Sequence, residues 1–194
     1  MRTPRSLIQR LFALVLTVAL LVLASQVNKL PGKLASHYDT TKLAVGQTGT
    51  LGTARVLITD VRLAEQVRRD SSGDGASRTT GTFVLVTIRA AQPGPEKFLG
   101  SVRAIGGGRT FNTSTTISAE PSFESETVVP FEVPDENVPA LKVTVNPSGL
   151  ILAYDEQLEV DLGLDARRID ELRADQARTN EVPTVPILPT VRGL

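Results

Sequence analysis

Residues 157–164 read QLEVDLGL. Leu158, Val160, Leu162 and Leu164 fall on one side of an extended chain, and Glu159 and Asp161 on the other. That alternation marks a strand with one dry and one wet face. The same period runs outward from it. LKVTV (141–145) turns Leu141, Val143 and Val145 one way and Lys142 and Thr144 the other. ETVVPFEVP (126–134) puts Val129, Phe131 and Val133 on one face. TFVLVTIRA (82–90) is apolar on both faces, which predicts a central strand. KFLGSVRAI (97–105) leads into GGGRTF (106–111), a turn and a further strand start. In TLGTARVLITDVRL (50–63) Val56 and Ile58 share a face, while Val61 and Leu63 match each other out of phase with them. A β-bulge near Thr59–Asp60 accounts for the slip. The turn clusters SSGDG, QPGP, GGG, VPDENVP and NPSG separate these segments. About seven short strands with no helical period between them predict a mainly β chain, an antiparallel β-sandwich over residues 44–164.

The flanks read differently. Residues 1–10 are basic, with Arg2, Arg5 and Arg10. From Leu11 to Ala24 the chain is apolar apart from Thr17, and it stays uncharged to Lys29. Fourteen residues suit a signal-peptide core, whereas the uncharged stretch as a whole approaches the roughly 20 residues of a membrane span. Val22 and Ala24 suit a signal peptidase site, but LLVLA before the cut stays apolar where a cleavable segment turns polar. Residues 11–27 therefore read as one retained N-terminal transmembrane helix, with cleavage after Ala24 as the alternative. The leading arginines put the N-terminus in the cytoplasm and the body outside it. Residues 28–43, with Pro31 and Gly32, read as a polar connector. After Leu164 the period becomes helical: DARRIDELRADQAR (165–178) has Asp165 as an N-cap and Ile169 and Leu172 one turn apart, predicting a short C-terminal helix over 165–179. In the tail, 180–194, Pro183, Pro186 and Pro189 recur at every third position, which predicts an unpacked polyproline II segment.

Charge and composition narrow the partners. The formal net charge is +0, and beyond Arg10 the remaining 18 basic side chains face 21 acidic ones, so nothing favours nucleic acid. Cysteine is absent, which removes disulfides, thiolate metal sites, thiol nucleophiles and N-terminal lipidation together. The single histidine, His37, lies in the connector, a poor place for a catalytic triad.

Asp70-Ser71-Ser72-Gly73-Asp74-Gly75 begins like a Ca²⁺ loop, with Asp70, Ser72 and Asp74 as weak candidate ligands. Position 12 of such a loop is Gly81 instead of glutamate, and Arg68, Arg69 and Arg78 crowd it with positive charge, so the run reads as a hairpin loop with no cofactor. Asp135 and Glu136, with Asp155, Glu156 and Glu159, supply carboxylates for a hydrolase reading. Strand alternation and turn chemistry already explain Glu159 and PDEN. Gly106-Gly107-Gly108 lacks the Lys-Ser/Thr of a phosphate loop. Two interaction candidates remain: the arginine-flanked excursion 66–80, with Arg68, Arg69 and Arg78, and the helix face of Ile169 and Leu172.

Five segments in order, VGQTGTLGTARVLITDV (45–61), GTFVLVTIRA (81–90), RAIGGGRTF (103–111), SETVVPFEVPDENVPALKVTV (125–145) and LEVDLGL (158–164), resemble a family of bacterial extracytoplasmic domains of unknown function. That family is related in fold to secreted immunoprotective proteins. The resemblance implies an immunoglobulin-like sandwich, following a lipoprotein signal or a membrane helix, and brings no catalytic residues. Where the family strand after GTF runs into an asparagine, this chain reads AAQPGP. With no lipidation cysteine, a protein helix is the available anchor. The expectation is a non-enzymatic protein of the bacterial cell envelope, held in the cytoplasmic membrane through residues 11–27, with an unidentified envelope protein as partner. A secreted binding protein is the alternative and a carboxylate-dependent hydrolase the distant one.

Overall fold

A computed structural model describes residues 39–69, 75–148, 156–179 and 181–194, all within one compact unit, Tyr38–Leu194. The expected membrane segment 11–27, His37 and the candidate ligands Asp70, Ser72 and Asp74 lie outside the described residues. Among those described, no helix is long and apolar enough to cross a membrane.

The described residues form two sheets and one α-helix. In order the strands are β1 (Asp39–Ala44), β2 (Thr48–Leu51), β3 (Ala54–Arg69), β4 (Ser77–Gln92), β5 (Phe98–Gly106), β6 (Arg109–Ala119), β7 (Phe123–Val133), β8 (Lys142–Pro147) and β9 (Glu156–Asp161). Then follow helix α1 (Ala166–Thr179), β10 (Thr184–Val185) and β11 (Thr190–Gly193). One sheet runs β1-β9-β8-β5-β6; the other runs β10-β3-β4-β7-β11, with β2 also paired to β3. Pairing is antiparallel except for β1 with β9 and β10 with β3.

The dry faces predicted by alternation meet in the core. Leu158, Val160, Leu162, Leu164, Val143, Val145, Val129, Phe131 and Val133 are all buried there, with Val84, Val86 and Ile88 of the central β4. Each fully buried side chain of this size contributes about 1.5–3 kcal/mol through removal from water. The phase slip in β3 is a register shift between Ile58 and Asp60, and it lets Val56, Ile58, Val61 and Leu63 all turn inward. A second shift lies between Ala64 and Gln66, opposite residues 79–82 of β4. The β5–β6 hairpin closes on Gly107-Gly108, both at positive φ (55° and 75°), as a two-residue turn matching the twist of its strands requires. A side chain at Gly107 would also strike the Asn137 amide.

Three features differ from the sequence reading. The connector does not extend to residue 43, because Asp39–Ala44 is already a strand beside β9, with Leu43 packed against the core. Nor is the tail unpacked. Thr184 and Val185 pair with Arg68 and Arg69, while Thr190–Gly193 pair with Phe123–Glu126. The helix is firmly docked: Ile169 and Leu172 are both buried in the main core.

Candidate functional site

Where β3 and β4 lose their common register, the sandwich opens into a cleft of about 690 Å³. Leu63 and Ala64 form its apolar side, and Glu65, Gln66 and Thr79–Thr82 continue the two strands. The opposite wall is α1, through Arg173, Gln176 and Ala177, with Asp135, Glu181 and Val182 beside it.

Helix α1 stands there for local reasons. Asp165 caps it, its Oδ1 accepting from the Arg168 N–H at 2.7 Å and its carbonyl from the Ile169 N–H at 3.0 Å. Burial of Ile169 and Leu172 fixes its rotation, so Arg173 and Gln176 face the cleft. On its exposed side, hydrogen bonds from Arg167 (2.9 Å) and Arg168 (3.3 Å) hold the Glu171 carboxyl below its ordinary pKa.

The cleft's polar groups hold one another. Thr82 Oγ1 donates to Asp135 Oδ1 at 2.6 Å, and the Arg173 guanidinium approaches the same oxygen at 3.4 Å. Thr79 Oγ1 donates to Glu132 at 2.6 Å and accepts from the Gly81 N–H at 3.1 Å. Gln176 Nε2 donates to the Glu181 carbonyl at 2.7 Å, tying the end of the helix to the start of the tail. Gly81 is obligatory for space: a Cβ there would lie 2.5 Å from the Val133 carbonyl oxygen. The result is a fixed array of hydroxyl, amide, carboxylate and guanidinium groups around a small apolar floor.

The expected interaction residues divide. Arg68, Arg69 and Arg78 share one arm, the far end of β3 and the start of β4. The Arg68 N–H donates to the Pro183 carbonyl at 2.9 Å, so the arm also holds the tail. With the Gln66 amide turned so that its oxygen faces Arg78, that oxygen accepts from the guanidinium (Nη2 2.6 Å, Nε 3.1 Å). Ile169 and Leu172 are corrected: both are taken by the chain's own core and offer nothing to a partner. Of the carboxylates of the hydrolase reading, Asp155 lies outside the described residues, and Glu159, Glu156 and Asp135 are dispersed. Glu159 binds Lys142 at 2.9 Å on the outer face of the first sheet and raises that ammonium's pKa. Glu156 accepts from the Gly52 N–H at 2.7 Å, and Asp135 stands in the cleft. Among the described residues, no group of three or more His, Asp or Glu side chains converges as a metal cage does.

Sequence reading missed Glu65, Gln66, Thr79, Thr82, Arg173 and Gln176 as one site. The polar run Ser77-Arg78-Thr79-Thr80-Gly81-Thr82, stepping abruptly into an apolar strand, was the available signal.

No protein-family model matches the chain, and no curated protein matches it in sequence. In structure it is similar to the yjhA protein from Bacillus subtilis, at 9% identity and a TM-score of 0.49, over 62% of this chain and 99% of that one. It is also similar to an uncharacterized beta-sandwich protein from Clostridium difficile 630, at 10% identity and a TM-score of 0.43, over 64% of this chain and 95% of that one.

Proposed function

We propose that the chain is a non-enzymatic, membrane-anchored protein of the bacterial cell envelope, whose immunoglobulin-like β-sandwich acts outside the cytoplasm as a protein-interaction module. The observation that carries this reading is the cleft between α1 and the β3–β4 pair. Its donors and acceptors come from separate elements and are oriented by one another, as Asp135 is by Thr82 and Arg173. Such preorganisation favours selective binding, because few side chains need ordering when a partner arrives. The basic start, the uncharged stretch 11–27 and the polar connector supply the anchor. Residues Val22 and Ala24 favour a second reading, in which the same body is released by cleavage after Ala24 and binds in solution.

A photo-crosslinking residue placed at Thr80 or Gln176, in the cleft, is expected to trap a discrete partner in intact cells. The same residue at Glu159, on the outer face of the first sheet, is not. Equal adducts from both faces would overturn the interaction reading. N-terminal sequencing of the membrane fraction addresses the anchor separately: a mature chain beginning at Ser25 would replace it with the secreted form.

A further inference from the structure

The C-terminal segment 181–194 joins both edges of the second sheet, through β10 on β3 and β11 on β7. On the way it covers a second, smaller apolar cluster apart from the main core. Ala64, Val67, Phe83 and Leu85 are buried there beneath Val185, with Val128 beside them. The sequence marks β4 as apolar on both faces, and Phe83 and Leu85 on its second face are buried in this cluster.

The hold is slight. Val185 is the tail's one buried side chain, whereas Ile187, Leu188, Val191 and Leu194 are 54%, 78%, 54% and 65% exposed. Pro183, Pro186 and Pro189 have no N–H to add to a ladder, and strand pairing covers two residues on β3 and four on β7, extended by single backbone bonds at Pro183 and Leu194. A segment held by one buried side chain and short edge pairings opens at the low-stability end of a fold. Its departure leaves two strand edges and an apolar face, a surface that accepts an extended chain.

We propose that this surface takes the C-terminal segment of a second copy of the chain, giving a dimer by reciprocal exchange of residues 181–194. The occupant follows from the contacts themselves. A second copy presents the same Val185 to the same Phe83 and Leu85, and the same Thr190–Gly193 to the same β7, so exchange needs no new complementarity. Residues 181–183, with Pro183, are the hinge. This inference is independent of the membrane reading.

The absence of cysteine makes the test direct. Arg192 and Glu124 are cross-strand partners in β11 and β7, within the Cα spacing a disulfide bridges. Full-length Glu124→Cys chains are mixed with full-length Arg192→Cys chains, incubated at high concentration and oxidised. Exchange predicts a disulfide-linked heterodimer, at least about five-fold above a control mixture of Arg192→Cys with Thr116→Cys, since strand pairing raises the local thiol concentration. Thr116 is exposed on β6 of the other sheet. Deleting residues 181–194 from the Glu124→Cys chain must not abolish this heterodimer, because the Arg192→Cys chain donates the tail. The same deletion in the Arg192→Cys chain removes the thiol and must abolish it. A heterodimer no more abundant than the control overturns the proposal, whether or not the double Glu124→Cys, Arg192→Cys chain closes on itself.

Discussion

Arg173 Nη2 on α1 and Asp135 Oδ1 in the turn after β7 stand 3.4 Å apart, and the same Asp135 oxygen accepts the Thr82 hydroxyl at 2.6 Å. The two bonds differ in worth. Arg173 and Asp135 are half exposed, and an exposed ion pair contributes about 0.2–1 kcal/mol. Thr82 is buried, and a buried hydroxyl left without its acceptor costs about 1–3 kcal/mol. Arg173→Ala is therefore expected to shift the urea midpoint little and Asp135→Ala clearly more. Equal shifts would mean that Thr82 finds another acceptor.

Gly81 is expected to resist enlargement. A methyl group there meets the backbone carbonyl of Val133, which cannot rotate away as a flexible side chain would. Gly81→Ala should destabilise by about 1–3 kcal/mol, the usual range for overpacking. Gly75, which has open space around it, is the control: Gly75→Ala should leave the denaturation midpoint nearly unchanged.

Ile169 and Leu172 are core residues. Ile169→Ala and Leu172→Ala should each cost about 2–5 kcal/mol in equilibrium unfolding. A helix that merely presented this pair to a partner would lose binding and keep its stability. Calorimetry of the two variants separates the cases.

Two ion pairs contribute to opposite limbs of the pH profile. Glu171 titrates below its ordinary value because Arg167 and Arg168 bond to it, so its contribution is complete above the unfolded glutamate value and lost as pH falls through the folded one. Acidification below about pH 4.3 should lower the Tm of the wild type more steeply than that of Glu171→Gln. Lys142 titrates above its ordinary value because of Glu159. Its contribution is complete below the unfolded lysine value and lost as pH rises through the folded one. Above about pH 10.4 the wild type should lose stability more steeply than Glu159→Gln.

The sandwich was legible because its central strands carry side-chain periods. The slip between Val56/Ile58 and Val61/Leu63 even located the register shift in β3. The edge strands β1 and β10 were not legible, and for one reason. β1 contributes only Leu43 to the core and β10 only Val185 to the smaller cluster, so backbone pairing places them and their side chains leave almost no pattern. The cleft was hidden differently. The partners Thr82, Asp135 and Arg173 are far apart in sequence, and only the shifted register at Ala64–Gln66 and the docking of α1 bring them together. Proline spacing misled, since Pro183, Pro186 and Pro189 permit the extended conformation of a free polyproline segment and equally of short edge strands.

The parallel pairing of β1 with β9 has a mechanical consequence. Tension that enters at Asp39 along the strand pulls all six paired positions, from Asp39–Glu156 to Ala44–Asp161, sideways at once. The load falls on the whole row of bonds in shear instead of opening them one after another like a zip. Behind β9 stand β8 and β5, which spread that load into the sheet. A strand paired this way yields less readily to a pull along its axis than one peeled from its end.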